Sequence, residues 1–340
     1  MDSYELLQNS YKKILFNFLH KKNEQSLYDA QQFSKKVLEE NVSPEEIVSI
    51  HLEVIQELYP DLPEETQESF QFLLEVMIGY GMAYREHQIL RNKQRELESE
   101  IDIAADMQHT FLPQEIPQVD DLDIGVITVP ASKMSGDYYH VIKDVNGYIG
   151  VAIADIIGKG IPAALCMSMI KYAMDSMPNE LLPPSELLET LNRTIEQNIA
   201  SHMFVTMMYA SYNHDEHVLY YGGAGHEPGF YYNKQADHFS ELYAKGVALG
   251  ISRDAKYRQY EQYLDEGDFV VLLSDGVTES RTEERFLERE ELTDLIRKYA
   301  HLSAQEIVDN VYRDLERWQG LELRDDFTLL ILRRTFTKST

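Results

Sequence analysis

Val151-Ala152-Ile153-Ala154-Asp155-Ile156-Ile157-Gly158-Lys159-Gly160-Ile161-Pro162-Ala163-Ala164 reads as strand, turn and helix in immediate succession. The apolar run before Asp155 is strand-sized and needs burial on both faces. Gly158 and Gly160 punctuate a turn. Pro162 stands where a helix tolerates a residue without an N–H, in its first turn. A carboxylate at the end of such a strand is costly to hold unless something neutralises it. Val270-Val271-Leu272-Leu273-Ser274-Asp275-Gly276 repeats the pattern of apolar strand, aspartate and glycine.

Outward from these stretches, 122–129 and 148–153 read as strands, followed by a helix over 162–177 and a second, opened by prolines, over 185–199. Strands then cluster at 204–212, 218–222, 229–232, 258–264 and 269–273. Helices near 289–299 and 304–318 precede a strand at 327–332. Strands meeting at short turns, with helices grouped in pairs, predict an α+β domain over 121–340. Its sheets should be largely antiparallel, with the helices on their outer faces.

Residues 1–84 read as all-helical. Residues 4–20 carry Leu6, Leu7, Ile14, Leu15 and Leu19 without glycine or proline. Ser43-Pro44-Glu45-Glu46 supplies an N-cap, a first-turn proline and acids where the helix dipole favours them. Leu62-Pro63-Glu64-Glu65 is a second start of this kind. The helix it opens is apolar over much of its circumference, from Phe70 to Ile78, so it must bury two sides, in a bundle or against a second copy. Over 85–120 the apolar residues thin to Leu90, Leu97, Ala104 and Phe111, a seven-residue step. That stripe leaves two readings open: a long surface helix, or a parallel coiled-coil linker joining two protomers.

The length of 340 residues suits about two domains. With 31 basic against 58 acidic residues the net charge is −27, which argues against nucleic acid as a partner. One cysteine and 44% hydrophobic residues describe a globular protein of a reducing compartment. The amino terminus lacks a signal-peptide pattern, and no apolar run reaches the ~18 residues of a membrane span. The expectation is a cytoplasmic protein with no membrane partner.

Asp137, Asp155, Asp275 and the pair Asp325-Asp326 fall at strand ends or turns. Any one of them reads most simply as a turn or cap residue. Several in one domain point to a cation site, because facing carboxylates raise one another's pKa and hard divalent cations relieve that. Lys159 is the lone basic residue in the runs around Asp137, Asp155 and Asp275. Magnesium or manganese suits such an oxygen set; zinc does not, for want of a Cys/His cluster. Other chemistries drop out. Tyr172 stands where a Cys-x5-Arg phosphate loop starting at Cys166 would need arginine. Neither the P-loop spacing nor Gly-x-Ser-x-Gly occurs. His226, in a glycine-rich turn, reads as structural or as part of a substrate rim before it reads as a catalytic acid.

Taken together, Met134–Tyr139, Ala154–Ala164, Gly223–Pro228, Leu273–Glu279 and Asp325–Thr328 resemble, in order and spacing, the bacterial branch of the PPM metal-dependent serine/threonine phosphatases (SpoIIE/RsbU type). Ser26–Lys36 and Glu75–Tyr84 are similar to the helical amino-terminal domain found in that branch. The resemblance implies an α/β/β/α-layered phosphatase domain over 121–340, behind a helical dimerisation and activator-binding domain over 1–84 and a regulatory linker over 85–120. It implies two divalent cations, Mn2+ or Mg2+. Asp155 would bridge them, the Ile156 carbonyl and Asp137 would complete one, and Asp275 and Asp325 would hold the other. Asp325 is chosen over Asp326 only by aligning Asp-Asp-Phe-Thr with the family's Asp-Asn-x-Thr.

Asp155 and Asp275 would then act in catalysis through activated water, with no protein nucleophile. The implied substrate is the phosphoserine of a STAS-domain anti-anti-sigma protein (RsbV type). The implied activator is a kinase-like switch protein (RsbT type) acting on a homodimer in the general stress response. A degenerate, non-enzymatic adaptor would be expected to have lost one of these aspartates, and none is lost. A nucleotide hydrolase would need a basic or aromatic clamp that the sequence does not show.

Overall fold

A computed structural model describes residues 3–22, 24–40, 42–113, 115–158, 160–176, 180–199, 202–282, 285–321 and 323–336. Lys159 and the end of the expected 162–177 helix lie outside them. The chain separates into two compact units, 1–98 and 99–340.

The first unit is helical: α1 (Ser3–Lys21), α2 (Glu24–Glu39), α3 (Pro44–Leu58) and the larger part of α4 (Glu64–His109). Ser43 caps α3 as the sequence predicts, its side chain accepting from the Glu46 N–H, with Pro44 in the first turn. Leu7, Phe33, Val37, Ile50 and Val54 form a small buried core. The two helical readings over 64–112 merge into one uninterrupted α4, which passes through Gly79 and Gly81 without a break. Much of its apolar surface stays uncovered: Phe72 is 73% exposed, Tyr80 60% and Met82 61%.

The second unit is built on strands β1 (Leu122–Val129), β2 (Asp137–Lys143), β3 (Ile149–Ile156), β4 (Val205–Asn213), β5 (Val218–Ala224), β6 (Gly229–Asn233), β7 (His238–Leu242), β8 (Tyr260–Tyr263), β9 (Phe269–Leu273) and β10 (Phe327–Arg334). Among the described residues they form two five-stranded sheets, ordered β1-β10-β9-β6-β7 and β2-β3-β4-β5-β8. Adjacent strands in both sheets are antiparallel. Helices α5 (Ile161–Asp175) and α6 (Pro184–Asn198) pack on the second sheet through Met167, Ile170, Leu188 and Leu191. Helices α8 (Arg289–Tyr299) and α9 (Ala304–Trp318) cover the first through Ile296, Ile307, Val308 and Val311. Between the sheets lie Ile153, Met208, Leu272 and Leu330. The layering is helix, sheet, sheet, helix, and the fold class is the expected α+β. A single turn, α7 (Asp275–Thr278), follows β9 directly.

Two strands escape the sequence pattern. Asp137–Lys143 is buried along most of its length and mixes aspartate, histidine and lysine, so it shows neither alternation nor an apolar run. His238–Leu242 is short and sits at a sheet edge. The strand carrying Asp155 also runs further than its apolar core suggests. It continues to Ile156, whose N–H donates to the Gly136 carbonyl at 3.0 Å. Asp155 therefore lies within the ladder, directly opposite Asp137.

Candidate metal centre

Asp137 is the first residue of β2 and only 2% exposed. Burial holds its carboxyl well above the usual carboxylate range, and the nearby Asp155 and Asp326 push the same way. Thr328 Oγ1 donates to its Oδ2 at 2.6 Å, pulling the other way and tying β2 of one sheet to β10 of the other. Ser274, buried at the end of β9, is a second hydrogen-bonding partner of Asp137.

Gly136 shows how closely the oxygens gather. A Cβ added there would lie 3.1 Å from Asp155 Oδ1, 3.1 Å from the Ile156 carbonyl oxygen and 3.6 Å from Asp326 Oδ2. Any side chain would intrude on three oxygen donors at once. Asp137, Asp155, Ile156 and Asp326 thus share the end of the β2–β3 pair.

Asp275 and Asp325 share another group. Asp275 opens α7 at the end of β9. Burial raises its pKa first, with Asp325, Glu279 and Glu227 adding to the shift. Gly276 lets α7 approach the 325–326 turn closely enough that a Cβ would overlap the Asp326 carbonyl oxygen. The two aspartates of that turn differ in burial, Asp325 being half-buried and Asp326 buried. Asp326 is buried, and its carboxylate accepts from the Ala131 N–H at 2.7 Å and the Gly136 N–H at 2.6 Å. Asp325 accepts from the Asp326 N–H at 3.1 Å and stands beside Asp275 electrostatically.

The donor set is one of carboxylate and carbonyl oxygens, which suits hard divalent cations. Among the described residues no three Asp, Glu, His or Cys side chains are arranged as a metal-holding group. Within the donor set Asp137 and Asp275 are held above the usual carboxylate range by burial and by neighbouring aspartates, and that is the electrostatic condition a cation relieves. Asp326, Ser274 and Thr328 escaped sequence reasoning as supports. The Asp325–Thr328 motif held two of them, but their roles depend on contacts made across roughly half the chain.

His226 resolves as structural. Its Nε2–H donates to the Leu273 carbonyl at 3.0 Å, and its Nδ1 accepts from Thr206 Oγ1 at 2.9 Å. Burial lowers its pKa to about 4. Neutral in the fold but protonated in the unfolded chain below about 6.5, it favours the fold at neutral pH. That contribution is lost as pH falls from 6.5 towards 4, at up to about 1.4 kcal/mol per pH unit. His226→Gln should remove about one proton from the pH dependence of urea unfolding in that window; an unchanged dependence would locate the proton elsewhere. Cys166, 1% exposed with its thiol pushed up to about 11, is an inert core residue.

Comparison with known proteins follows the same lines. A family profile described as "Stage II sporulation protein E (SpoIIE)" matches residues 146–335, and one described as "Phosphoserine phosphatase RsbU, N-terminal domain" matches residues 9–83. The chain is 55% identical over 334 residues to phosphoserine phosphatase RsbU of Bacillus subtilis (strain 168), covering 98% of this chain and 99% of that protein. The chain belongs to the RsbU family of PPM-type serine/threonine phosphatases.

Solved structures agree on the fold of this RsbU-family chain. The SiaA-PP2C domain of Pseudomonas aeruginosa matches with a TM-score of 0.62 at 19% identity, over 71% of this chain and 98% of that one. The RsbU and RsbW domains of a Mycobacterium tuberculosis protein match with a TM-score of 0.56 at 25% identity, over 66% of this chain and 64% of that one. PPM-family phosphatases depend on magnesium or manganese, which accords with the oxygen-only donors here. Among the described residues of this RsbU-family chain, no helix is long and apolar enough to cross a membrane.

Proposed function

We propose that this RsbU-family enzyme removes phosphate from the phosphoserine of a small STAS-domain anti-anti-sigma protein (RsbV type). A kinase-like switch protein (RsbT type) engages the helical residues 1–84 of a cytoplasmic homodimer, and 85–120 relays that event to the phosphatase domain over 121–340. The product frees a sigma factor and turns on the general stress response. The observation that carries this reading is the paired carboxylate groups at one end of the two sheets, Asp137–Asp155 and Asp275–Asp325, in which Asp137 and Asp275 are made costly to ionise by burial and by the neighbouring aspartate. The near full-length identity to a named phosphoserine phosphatase supports the substrate class. The exposed apolar side chains of α4 support a second copy as its cover.

Asp155, Asp137 and the Ile156 carbonyl would hold one cation, and Asp275, Asp325 and Asp155 the second. Asp326 serves instead as a brace, since both its oxygens already accept backbone N–H groups. Bound there, Mn2+ or Mg2+ supplies positive charge for the phosphoryl oxygens and lowers the pKa of water. This chain's own residues orient and enclose. Thr328 and Ser274 fix the Asp137 carboxylate, and Asp326 fixes the loop before it. No side chain need act as nucleophile, which agrees with an inert Cys166 and an enclosed His226.

The deciding experiment is phosphate release from the phosphorylated STAS protein with Mn2+, with and without the switch protein. Release that rises on adding the switch protein is expected. Absence of release under both conditions would overturn the phosphatase assignment, and release indifferent to the switch protein would overturn the activation step.

A further inference from the structure

The segment 131–137 has no regular structure until β2 begins, yet, besides Ser132 Oγ donating to the Met134 carbonyl at 2.9 Å, its backbone polar groups are held by four different partners. Asp326 takes the N–H groups of Ala131 and Gly136. The Ile156 N–H donates to the Gly136 carbonyl. Ser135 Oγ accepts the Asp137 N–H at 3.0 Å. The fourth partner is Gln108, in the last turn of α4 and within the 99–340 unit. Its Nε2 donates to the Ser135 carbonyl at 2.7 Å, and its Oε1 accepts the Ser135 N–H at 2.9 Å. A carboxamide is the uncharged side chain with a donor and an acceptor side by side, so it pairs with one residue's backbone much as a neighbouring strand would.

Gln108 is 6% exposed, so neither bond competes freely with water. A cavity of about 30 Å3 is lined by Gln108, Thr128, Ser135, Asp137 and Met167 among others. Two residues beyond Ser135 lies Asp137, and between them Gly136 runs so close that a Cβ added to it would lie 3.1 Å from Asp155 Oδ1 and 3.1 Å from the Ile156 carbonyl oxygen. A shift of the Ser135–Gly136 peptide would therefore alter the spacing of three oxygen donors together. Sequence reading offered no hint of this, because Gln108 sits in a polar stretch of helix among many similar residues.

We propose that Gln108 is a positioning residue for the carboxylate centre: it clamps Ser135 and thereby sets where Asp137 meets Asp155 and Ile156. This rests on the phosphatase reading for its catalytic consequence but not for its geometric one. Two isosteres separate the possibilities. Gln108→Leu loses both bonds. Gln108→Glu keeps the acceptor for the Ser135 N–H and loses the donor. Asp102→Ala, which removes an exposed ion pair between α4 and Lys133 in the same loop, is the control.

Three measurements on the full-length chain are compared: Mn2+ affinity by calorimetry, hydrogen exchange in 131–137, and kcat against Mn2+ concentration. Gln108→Leu should weaken Mn2+ binding by roughly 10–100-fold and raise the Mn2+ required for turnover by a similar factor. Exchange in 131–137 should quicken, and KM for the phosphoprotein should move little. Gln108→Glu should fall between Gln108→Leu and the parent, and Asp102→Ala should match the parent. Should Gln108→Leu fail to fold, the intermediate loss in Gln108→Glu carries the test alone. Parent-like Mn2+ affinity and exchange in a folded Gln108→Leu or Gln108→Glu would overturn the proposal. If the parent itself released no phosphate, the phosphatase reading would fail while affinity and exchange still judged the clamp.

Discussion

Asp155→Ala should lower Mn2+-dependent phosphate release by about 1,000-fold or more while leaving a folded protein. The size follows from the several kcal/mol of charge stabilisation that a correctly held cation gives a phosphoryl transition state. The survival of the fold follows from electrostatics. Asp137 is raised mainly by burial, with Asp155 contributing to the same direction. A carboxyl whose folded pKa lies above its unfolded value favours the fold below the unfolded pKa, and that contribution is lost as pH rises through the folded one. At neutral pH the metal-free centre is therefore a source of instability, and removing Asp155 relieves part of it. Metal-free Asp155→Ala should melt no lower than the metal-free parent. Adding Mn2+ should raise the parent's Tm by several degrees and leave the variant's nearly unchanged. Retained turnover, or an equal Mn2+-induced shift in the variant, would remove Asp155 from the centre.

Gly276→Ala should damage both stability and turnover. The added methyl would overlap the Asp326 backbone carbonyl, and a backbone neighbour cannot swing aside as a flexible side chain would. Overpacking of this kind costs about 1–3 kcal/mol or more. Relief requires α7 to part from the 325–326 turn, which separates Asp275 from Asp325; a displacement of about 1 Å at a reacting centre costs on the order of 100-fold in rate. Gly125→Ala is the informative companion. There the methyl would meet the Ala304 backbone, where β1 crosses the start of α9. It should lower the urea midpoint comparably while leaving turnover per folded molecule roughly unchanged. Equal turnover in both variants would mean that the α7 contact does not set the carboxylate spacing.

The parts of this molecule that sequence could reveal are those written locally. Buried strands such as Phe269–Leu273 announce themselves through unbroken apolar runs, and α3 through Ser43-Pro44-Glu45-Glu46. Aspartates next to such runs stand out because their burial demands an explanation. Their pairing does not. That Asp137 faces Asp155 depends on the register of β2, a strand whose mixed composition hid it. That Asp326 accepts the amides of Ala131 and Gly136 is likewise invisible in two identical neighbouring letters. Gln108 belongs to the same class: its meaning lies in the one residue, Ser135, that it happens to meet.

β10 lies between β1 and β9 in its sheet, although it is made after every other strand. Until it inserts, β1 has no neighbour and β9 lacks one of its two. The same event delivers Thr328 to Asp137 and brings Asp325 and Asp326 to their places. A growing chain on the ribosome can complete the β2–β3–β4–β5 meander early, but it cannot assemble an active centre before its closing strand emerges. A chain of this strand order should therefore gain turnover only after β10 is made.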